Sequence, residues 1–377
     1  MPVIRRVEMA GWRAMSGDTP CFAVVAGGGT AGHVLPALAV AEALVTAGHE
    51  PGEIHYIGAQ RGFETTVVPT TPFPHTFYDV VGFQRRLTSR NATFVPKLLR
   101  ASREARRLFR RIRPQVVVSV GGYASMPAVL AARRLHIPVI VVSYDRHPGR
   151  ASKVAARRAA ACAVAFPDSP LPRAELTGAP LRRDVLDVDR LDGRDAARKE
   201  LGIPADRFLV AVMGGSLGSA ALNRAITDYV QAHAGDTLLA VRHACGERFV
   251  ADAAPPQDGS GGILYQVSGY ESQMPSVFAA ADVFVGRGGA STVAEVAATG
   301  TPAILVPWPG AAEDHQTANV RWLSDHGAAV YLPESRLDEL GREIERLRGD
   351  ATSRAALGHA AAELGAVHRS GALAALV

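Results

Sequence analysis

Cysteine is scarce. The 377 residues hold three, Cys21, Cys162 and Cys245, scattered and without CxxC spacing. An odd, dispersed set argues against a disulfide framework and a structural zinc site, and it suits a reducing compartment. Long apolar runs are missing as well: none approaches the ~18–20 residues needed to cross a bilayer. Residues 1–20 lack a signal-peptide core, because Arg5, Arg6, Glu8, Arg13 and Asp18 interrupt them. We read that stretch as a loose leader, with Met9 or Met15 as alternative starts. Together these absences indicate a cytoplasmic protein. Acids are missing from the stretch Arg85–Arg113, which is crowded with arginine and opposed by Glu104 alone. A solvated helix face would look like this. So would a footprint for an anionic partner, either a membrane surface or a pyrophosphate-bearing acceptor. Phe83 lies beside the run, and Phe94 and Phe109 lie within it, too few aromatics for a base-stacking platform, which argues against nucleic acid.

What is present is a globular chain, 47% hydrophobic and 20% charged, with enough length for two domains of roughly 150–200 residues. Short apolar runs alternate with helical periodicity. Phe22–Ala26, Ile54–Ile57, Val116–Val120, Val139–Val142 and Ala161–Phe166 read as buried strands, with helices at His33–Ala47, Asn91–Ile112 and Pro127–Leu135 between them. The pattern restarts at Phe208–Met213 and continues through Leu238–Arg242, Ile263–Val267, Asp282–Val285 and Ala303–Val306. Continuous apolar strands separated by helices imply parallel sheets covered on both faces. The expected architecture is α/β: one doubly wound domain over 21–183, a charged, strand-poor linker over 184–206, and a second doubly wound domain with a helical tail over 207–377. Two such halves face each other across a cleft at the carboxyl ends of their strands.

Three glycine turns border that cleft. Gly27-Gly28-Gly29-Thr30-Ala31-Gly32-His33 contains GxGxxG between a strand and a helix. A dinucleotide site also needs an acid after the second strand, and Ile57-Gly58-Ala59-Gln60 supplies none. What remains is a close-approach turn with amides available to an anion, and His33 as a side chain able to move a proton. The second turn, Gly214-Gly215-Ser216-Leu217-Gly218, offers amides and the Ser216 hydroxyl to phosphate oxygens. The third, Gly286-Arg287-Gly288-Gly289-Ala290-Ser291-Thr292, opens a helix bearing Glu295, whose carboxylate can accept both hydroxyls of a ribose. A carboxylate near a helix start also complements the dipole. After the next strand, Asp314-His315-Gln316-Thr317-Ala318-Asn319 groups an imidazole and amides suited to sugar hydroxyls, or forms a polar helix start capped by Asp314. The triplet Asp187-Val188-Asp189 matches a cation-binding DxD pattern but falls in the linker, so we expect no metal and no cofactor. Helix dipoles, amides, Arg182 and Arg287 are then left to stabilise a leaving pyrophosphate.

Read together, the ordered motifs GGGTAGHVLPALAVA, VGGYASMPAVLAA, LTGAPLRRDVL, GGSLGSAALN, RGGASTVAEVAATGTPAILVPWP and EDHQTAN resemble the MurG family of UDP-N-acetylglucosamine transferases, from about Phe22 to Leu332. The resemblance implies a GT-B fold and an inverting, metal-independent transfer of N-acetylglucosamine to a hydroxyl acceptor. It implies a peripheral position on the inner face of the cell membrane. By matching position, Glu295 holds the ribose, and Ser216, Gly289, Ala290 and Ser291 contact phosphate. Gln316 and Asn319, with His315 beside them, read the donor sugar, and Arg182 reaches the donor from the first domain. Thr30, His33 and Tyr123 lie on the acceptor side, and the uracil lies near Tyr270 and Met274. His33 is the expected general base, with Asp145 as rival base or orienter.

The chain departs from the family pattern. Val142-Ser143-Tyr144-Asp145 stands where His-Glu-x-Asn is usual, Leu217 replaces a glutamine and Ala179 an asparagine. These changes favour an acceptor other than ordinary lipid I, in a specialised cell-envelope or antibiotic pathway. A true peptidoglycan enzyme forming lipid II is the alternative. An epimerase would convert the donor with no acceptor present, and an inactive UDP-sugar-binding scaffold would bind UDP without ever releasing it from a UDP-sugar.

Overall fold

The computed structural model describes residues 21–82, 89–215, 218–253, 255–311 and 314–377, without the side chains of 89–92. Expectations for 1–20, Phe83, Arg85, Arg86, Ser216 and Leu217 lie outside the described residues. The first sheet holds β1 (Ala23–Ala26), β2 (Ile54–Ala59), β3 (His75–Tyr78), β4 (Val116–Ser119), β5 (Val139–Ser143), β6 (Ala161–Val164) and β7 (Ala174–Leu176). All its pairings are parallel, in the order β3-β2-β1-β4-β5-β6-β7. The second holds β8 (Phe208–Met213), β9 (Leu239–Ala244), β10 (Gln257–Asp258), β11 (Leu264–Ser268), β12 (Val283–Arg287), β13 (Ala303–Val306) and β14 (Val330–Tyr331). Its order is β10-β11-β9-β8-β12-β13-β14, parallel except for β10 at the edge. In both sheets the chain reverses its direction of winding beside the first strand, so each carries a topological switch point where β1 or β8 ends.

The central strands are buried on both faces because they are almost wholly aliphatic: AVVA in β1, VVVS in β4 and FLVAVM in β8. A glycine follows each within two residues, at Gly27, Gly121 and Gly214, before the next helix begins. The segment 184–206 is strand-poor and carries the short helix Arg194–Leu201, which is docked against the second domain through Arg198. The C-terminal tail returns to the first domain. Leu373 lies in the same core cluster as Leu38 and Leu44, and His368 Nδ1 accepts from the Ala179 amide at 2.9 Å. The domains are therefore joined at the linker, at the tail and across the cleft. No helix of the described residues is long and apolar enough to cross a membrane.

Candidate active site

The first turn is built around a carboxylate that no sequence pattern announced. Glu64 is fully buried, and its oxygens accept from the Gly29 amide at 2.9 and 3.0 Å and from the Ala59 amide at 2.9 Å. A Cβ on Gly28 would come within 2.3 Å of Glu64 Oε1, so the turn needs glycine there to close over the carboxylate. Gly29 itself has φ +98°, the left-handed side of the map where a side chain is strained. The Gly29 amide, expected to face an external anion, is therefore already taken by Glu64. The amide that a dinucleotide reading needs free is thus already hydrogen-bonded within the chain.

His33 stands in the first turn of the helix Ala31–Thr46, after Thr30 at the N-cap. Its ring packs on the second loop of the first domain: a Cβ on Gly122 would lie 3.1 Å from His33 Cδ2 and 2.8 Å from the Gly28 carbonyl. The two glycine loops thus interlock around the imidazole. His33 Nδ1 is 3.0 Å from the Tyr144 hydroxyl, which in turn donates to the Gly32 carbonyl. Burial lowers the His33 pKa below the ordinary imidazole value, against the opposing charges of Asp145 and Glu64. The imidazole is thereby kept in its neutral, proton-accepting form near neutral pH. Tyr123 closes the other side of this turn, its ring 3.0 Å from a Cβ placed on Gly29.

Asp145 does not orient His33. Its Oδ1 accepts from Asn319 Nδ2 at 3.0 Å, across the cleft. Asn319 is fully buried, and its Oδ1 accepts from the Arg146 amide at 2.9 Å. The Arg146 guanidinium pairs with Asp168 at 2.8 Å and lies 5.5 Å above the Trp322 ring. One loop therefore holds the candidate base through Tyr144 and the helix His315–Asp325 of the other domain through Asp145 and Arg146. Asn319, expected to read the donor sugar, serves here as a clamp between the domains. Three residues before it, Gln316 Oε1 accepts from the Trp308 amide at 2.9 Å, which fixes its carboxamide. Asp314 caps no helix amide and instead accepts from the Thr317 hydroxyl at 2.7 Å. His315 begins the helix.

The residues expected to hold the donor gather on the helix Ala290–Thr299. Gly289 sits at its N-cap, no side chain caps it, and its first turn has no acid. Its leading amides, at Ala290 and Ser291, are thus left for an external anion. Gly288 lets the helix His315–Asp325 approach, since a Cβ there would meet Val320 Cγ2 at 2.5 Å. Glu295 falls in the second turn, too far along to act as a dipole-complementing cap. Burial raises its pKa to about 7, Arg182 works against that shift, and Asp184 adds to it. Arg182 NH1 is 3.1 Å from Asp184 Oδ2, so one arginine faces both acids from the first domain's edge. Arg287 is not free for a pyrophosphate. It pairs with Glu334, donates to Ser219 Oγ and reaches the Val306 carbonyl at 3.3 Å, which makes it a brace for the turn. Tyr270 is exposed after β11, and Met274 begins the helix Met274–Ala280 with its side chain packed on the second core. The DxD acids are used locally: Asp187 pairs with Arg183, and Asp189 accepts from the Leu191 and Asp192 amides.

The two halves of the chain match separate models of one family. Residues 23–164 match the glycosyltransferase family 28 N-terminal domain, and residues 209–369 match the C-terminal domain. The chain belongs to glycosyltransferase family 28. Among its relatives is the UDP-N-acetylglucosamine--N-acetylmuramyl-(pentapeptide) pyrophosphoryl-undecaprenol N-acetylglucosamine transferase of Desulforudis audaxviator, 36% identical over 91% of this chain and 94% of the relative. The protein of that name from Nocardioides sp. is 39% identical over 90% of this chain and 93% of its own. The crystal structure of Acinetobacter baumannii MurG superposes with a TM-score of 0.68 at 28% identity, covering 92% of this chain and 94% of that one. The family 28 chain described here is a UDP-sugar glycosyltransferase of GT-B architecture, as its motifs implied.

Proposed function

We propose that this family 28 chain transfers N-acetylglucosamine from UDP-N-acetylglucosamine, with inversion, to a hydroxyl of a lipid-linked, pyrophosphate-bearing acceptor. The observation that carries the reading is the pairing of a neutral, half-buried His33 on one domain with an uncapped helix N-terminus and Glu295 on the other. His33 takes the acceptor proton, the acceptor oxygen bonds to the anomeric carbon, and UDP departs with the bonding electrons. The amides at Ala290 and Ser291, with Arg182 opposite, stabilise the charge growing on the pyrophosphate. The names of the 36–39% identical relatives favour a muramyl-pentapeptide lipid as acceptor. Tyr144-Asp145-Arg146, with their bonds to Gly32 and Asn319, favour an altered headgroup instead. Mass spectrometry of products from a panel of lipid-linked and soluble acceptors tests both. Transfer of a hexosamine to none of them, with donor turnover in their absence, would replace the transferase reading by an epimerase.

Glu295 provides a pH test of the donor site. A ribose with both hydroxyls donating needs the carboxylate, and this group is half protonated near its pKa of about 7. Affinity for UDP-N-acetylglucosamine, whose diesterified pyrophosphate does not titrate here, is expected to be about tenfold weaker at pH 6 than at pH 8. Protein stability runs the other way. The protonated form, favoured by burial, stabilises fully below the ordinary value of 4.5, and that contribution is lost as pH rises through about 7. Glu295→Ala should weaken binding by about 1.5–3 kcal/mol and abolish the pH dependence. Calorimetry that finds equal affinity in wild type and variant removes Glu295 from the site.

The part of the basic stretch from Arg90 to Arg111 lies on the helix Ser89–Ile112, whose inner face buries Ala101, Ala105, Leu108 and Phe109. Val95 and Leu99 are about half exposed, one turn apart and in line with Arg103. We infer that this stripe rests on anionic lipid, each cation contributing roughly 1 kcal/mol near the surface. Sedimentation with anionic vesicles should be strong at low salt and lost at high salt. Equal partitioning onto neutral vesicles would contradict it.

A further inference from the structure

Among the described residues, His33 makes one side-chain hydrogen bond, from Nδ1 to the Tyr144 hydroxyl at 3.0 Å. Tyr144 is buried and also donates to the Gly32 carbonyl. A phenol has a single proton, and a carbonyl can only accept, so that proton is committed to Gly32. The phenol oxygen then offers His33 lone pairs alone, and Nδ1 must be the nitrogen that carries hydrogen. Nε2 is left with its lone pair.

We propose that Tyr144 is a positioning residue that fixes His33 as the Nδ1–H tautomer, so that Nε2 is the atom taking the acceptor proton. This rests on the reading of His33 as base. In the step, the acceptor O–H proton moves to Nε2, the acceptor oxygen bonds to the anomeric carbon, and the bond from that carbon to the pyrophosphate oxygen breaks with its electron pair going to UDP. The imidazolium keeps its Nδ1–H on Tyr144 and later returns the Nε2 proton to water. Burial holds the Tyr144 phenol far above its usual ionisation range, so it stays neutral and receives no proton. The charged groups facing the imidazolium are Asp145, next along the same loop, and Glu64, under Gly29. Both favour the imidazolium, and burial opposes it. Asp145 acts through its field, since its hydrogen bond goes to Asn319 and the bond of His33 goes to Tyr144. The Gly32 carbonyl is part of the same turn of helix as His33, so one hydroxyl sets both the ring's tautomer and the helix end that carries it.

Tyr144→Phe keeps the ring and its packing and removes only the hydroxyl. Nitrogen-15 NMR of ring-labelled histidine reads the tautomer directly, with the His33 signal assigned by its loss in His33→Ala. The wild type should show Nδ1–H, and Tyr144→Phe a mixture or the opposite tautomer. In the phenylalanine variant kcat should fall about 10- to 100-fold, the range a small misplacement of a reacting group produces. UDP-N-acetylglucosamine affinity should stay within about twofold, since no donor contact changes. The acidic limb of the kcat profile should move, which simple loss of packing would not cause. A wild-type His33 protonated on Nε2, or a Tyr144→Phe enzyme with unchanged kcat, overturns the proposal. Full activity in His33→Ala would instead remove the base assignment itself, and the NMR tautomer distinguishes that failure from failure of the tyrosine's role.

Discussion

His33→Ala should lower kcat by about 10²–10⁴-fold, a barrier increase of roughly 3–5 kcal/mol, while leaving UDP-sugar affinity nearly unchanged. The asymmetry follows from where the side chain sits. His33 belongs to the first domain, wedged against Gly121 and Gly122, whereas the uncapped helix and Glu295, to which we assign the donor, belong to the second. Removing the imidazole deletes an interaction made as the acceptor proton moves, not one made with bound nucleotide. In the wild type the rate should fall on the acid side only below the ordinary imidazole pKa, because burial depresses the His33 value. Below that pKa the ring is protonated and cannot accept, so activity is lost as pH falls and retained as it rises. Asp145→Asn should be milder, since the aspartate contributes charge to His33 without touching it. Rates measured at saturating donor decide the matter. Should Asp145→Asn abolish turnover while His33→Ala keeps most of it, the two roles must be exchanged.

The glycine turns were legible because each glycine has a local reason visible in its neighbours: a strand before, a helix after, a required close approach between. The aliphatic runs that became β1, β4, β5, β8 and β13 were legible for the same kind of reason, being buried on both faces. The edge strands were not. His75–Tyr78 is mixed in polarity and mostly part-exposed, and Gln257–Asp258 and Val330–Tyr331 have two residues each. Nothing in so short a stretch separates a strand from a loop. The groups that set the chemistry of the first turn were hidden by distance along the chain. Glu64 lies 35 residues from the Gly29 amide it satisfies, and Tyr144 lies 111 residues from His33. Tyr144 entered the sequence reading only as a departure from a family pattern, and its bonds show what the departure does locally. The type of Asn319 suits a sugar hydroxyl, and nothing local to it announces the partners it has across the cleft, Asp145 and the Arg146 backbone.

Glu64 and the helix Ala290–Thr299 also show why two similar glycine turns do different work. Both place backbone amides at the end of a central strand. In the first domain a carboxylate from the chain itself fills the site, and the turn becomes a rigid mount for His33. In the second nothing from the described residues caps the helix, which leaves its first amides open to the anion proposed for them.

Asp282→Ala should destabilise the second domain by about 3–5 kcal/mol, although the residue lies in no glycine turn and has no part in the chemistry. Asp282 precedes β12, and its carboxylate carries three bonds. Oδ2 accepts from Arg198 at 2.7 Å and from the Leu209 amide at 2.7 Å, and Oδ1 accepts from Arg194 at 2.6 Å. Arg198 is 2% exposed, and its remaining donors go to the carbonyls of Ala280, Pro204, Ala205 and Arg207. Those carbonyls neutralise no charge. Arg190, close by, donates to the Phe278 and Ala281 carbonyls, and its pKa is lowered to about 10 by burial and by Arg194. Deleting the carboxylate therefore leaves the buried Arg198 guanidinium without its ion-pair partner, with Arg194 beside it and only the field of Asp195 in its favour, the costly way to break an ion pair. It also removes the acceptor for the Leu209 amide at the start of β8, and it loosens the helix Arg194–Leu201 that ties the linker to the domain. Asp282→Asn should cost less, because an amide oxygen can still accept from Leu209 while the charge is lost. Guanidinium denaturation of the two variants, followed by the circular dichroism of the helices, gives the comparison. A shift of under about 0.5 kcal/mol in Asp282→Ala, the size of an ordinary surface change, would mean that Arg198 finds its counter-charge elsewhere.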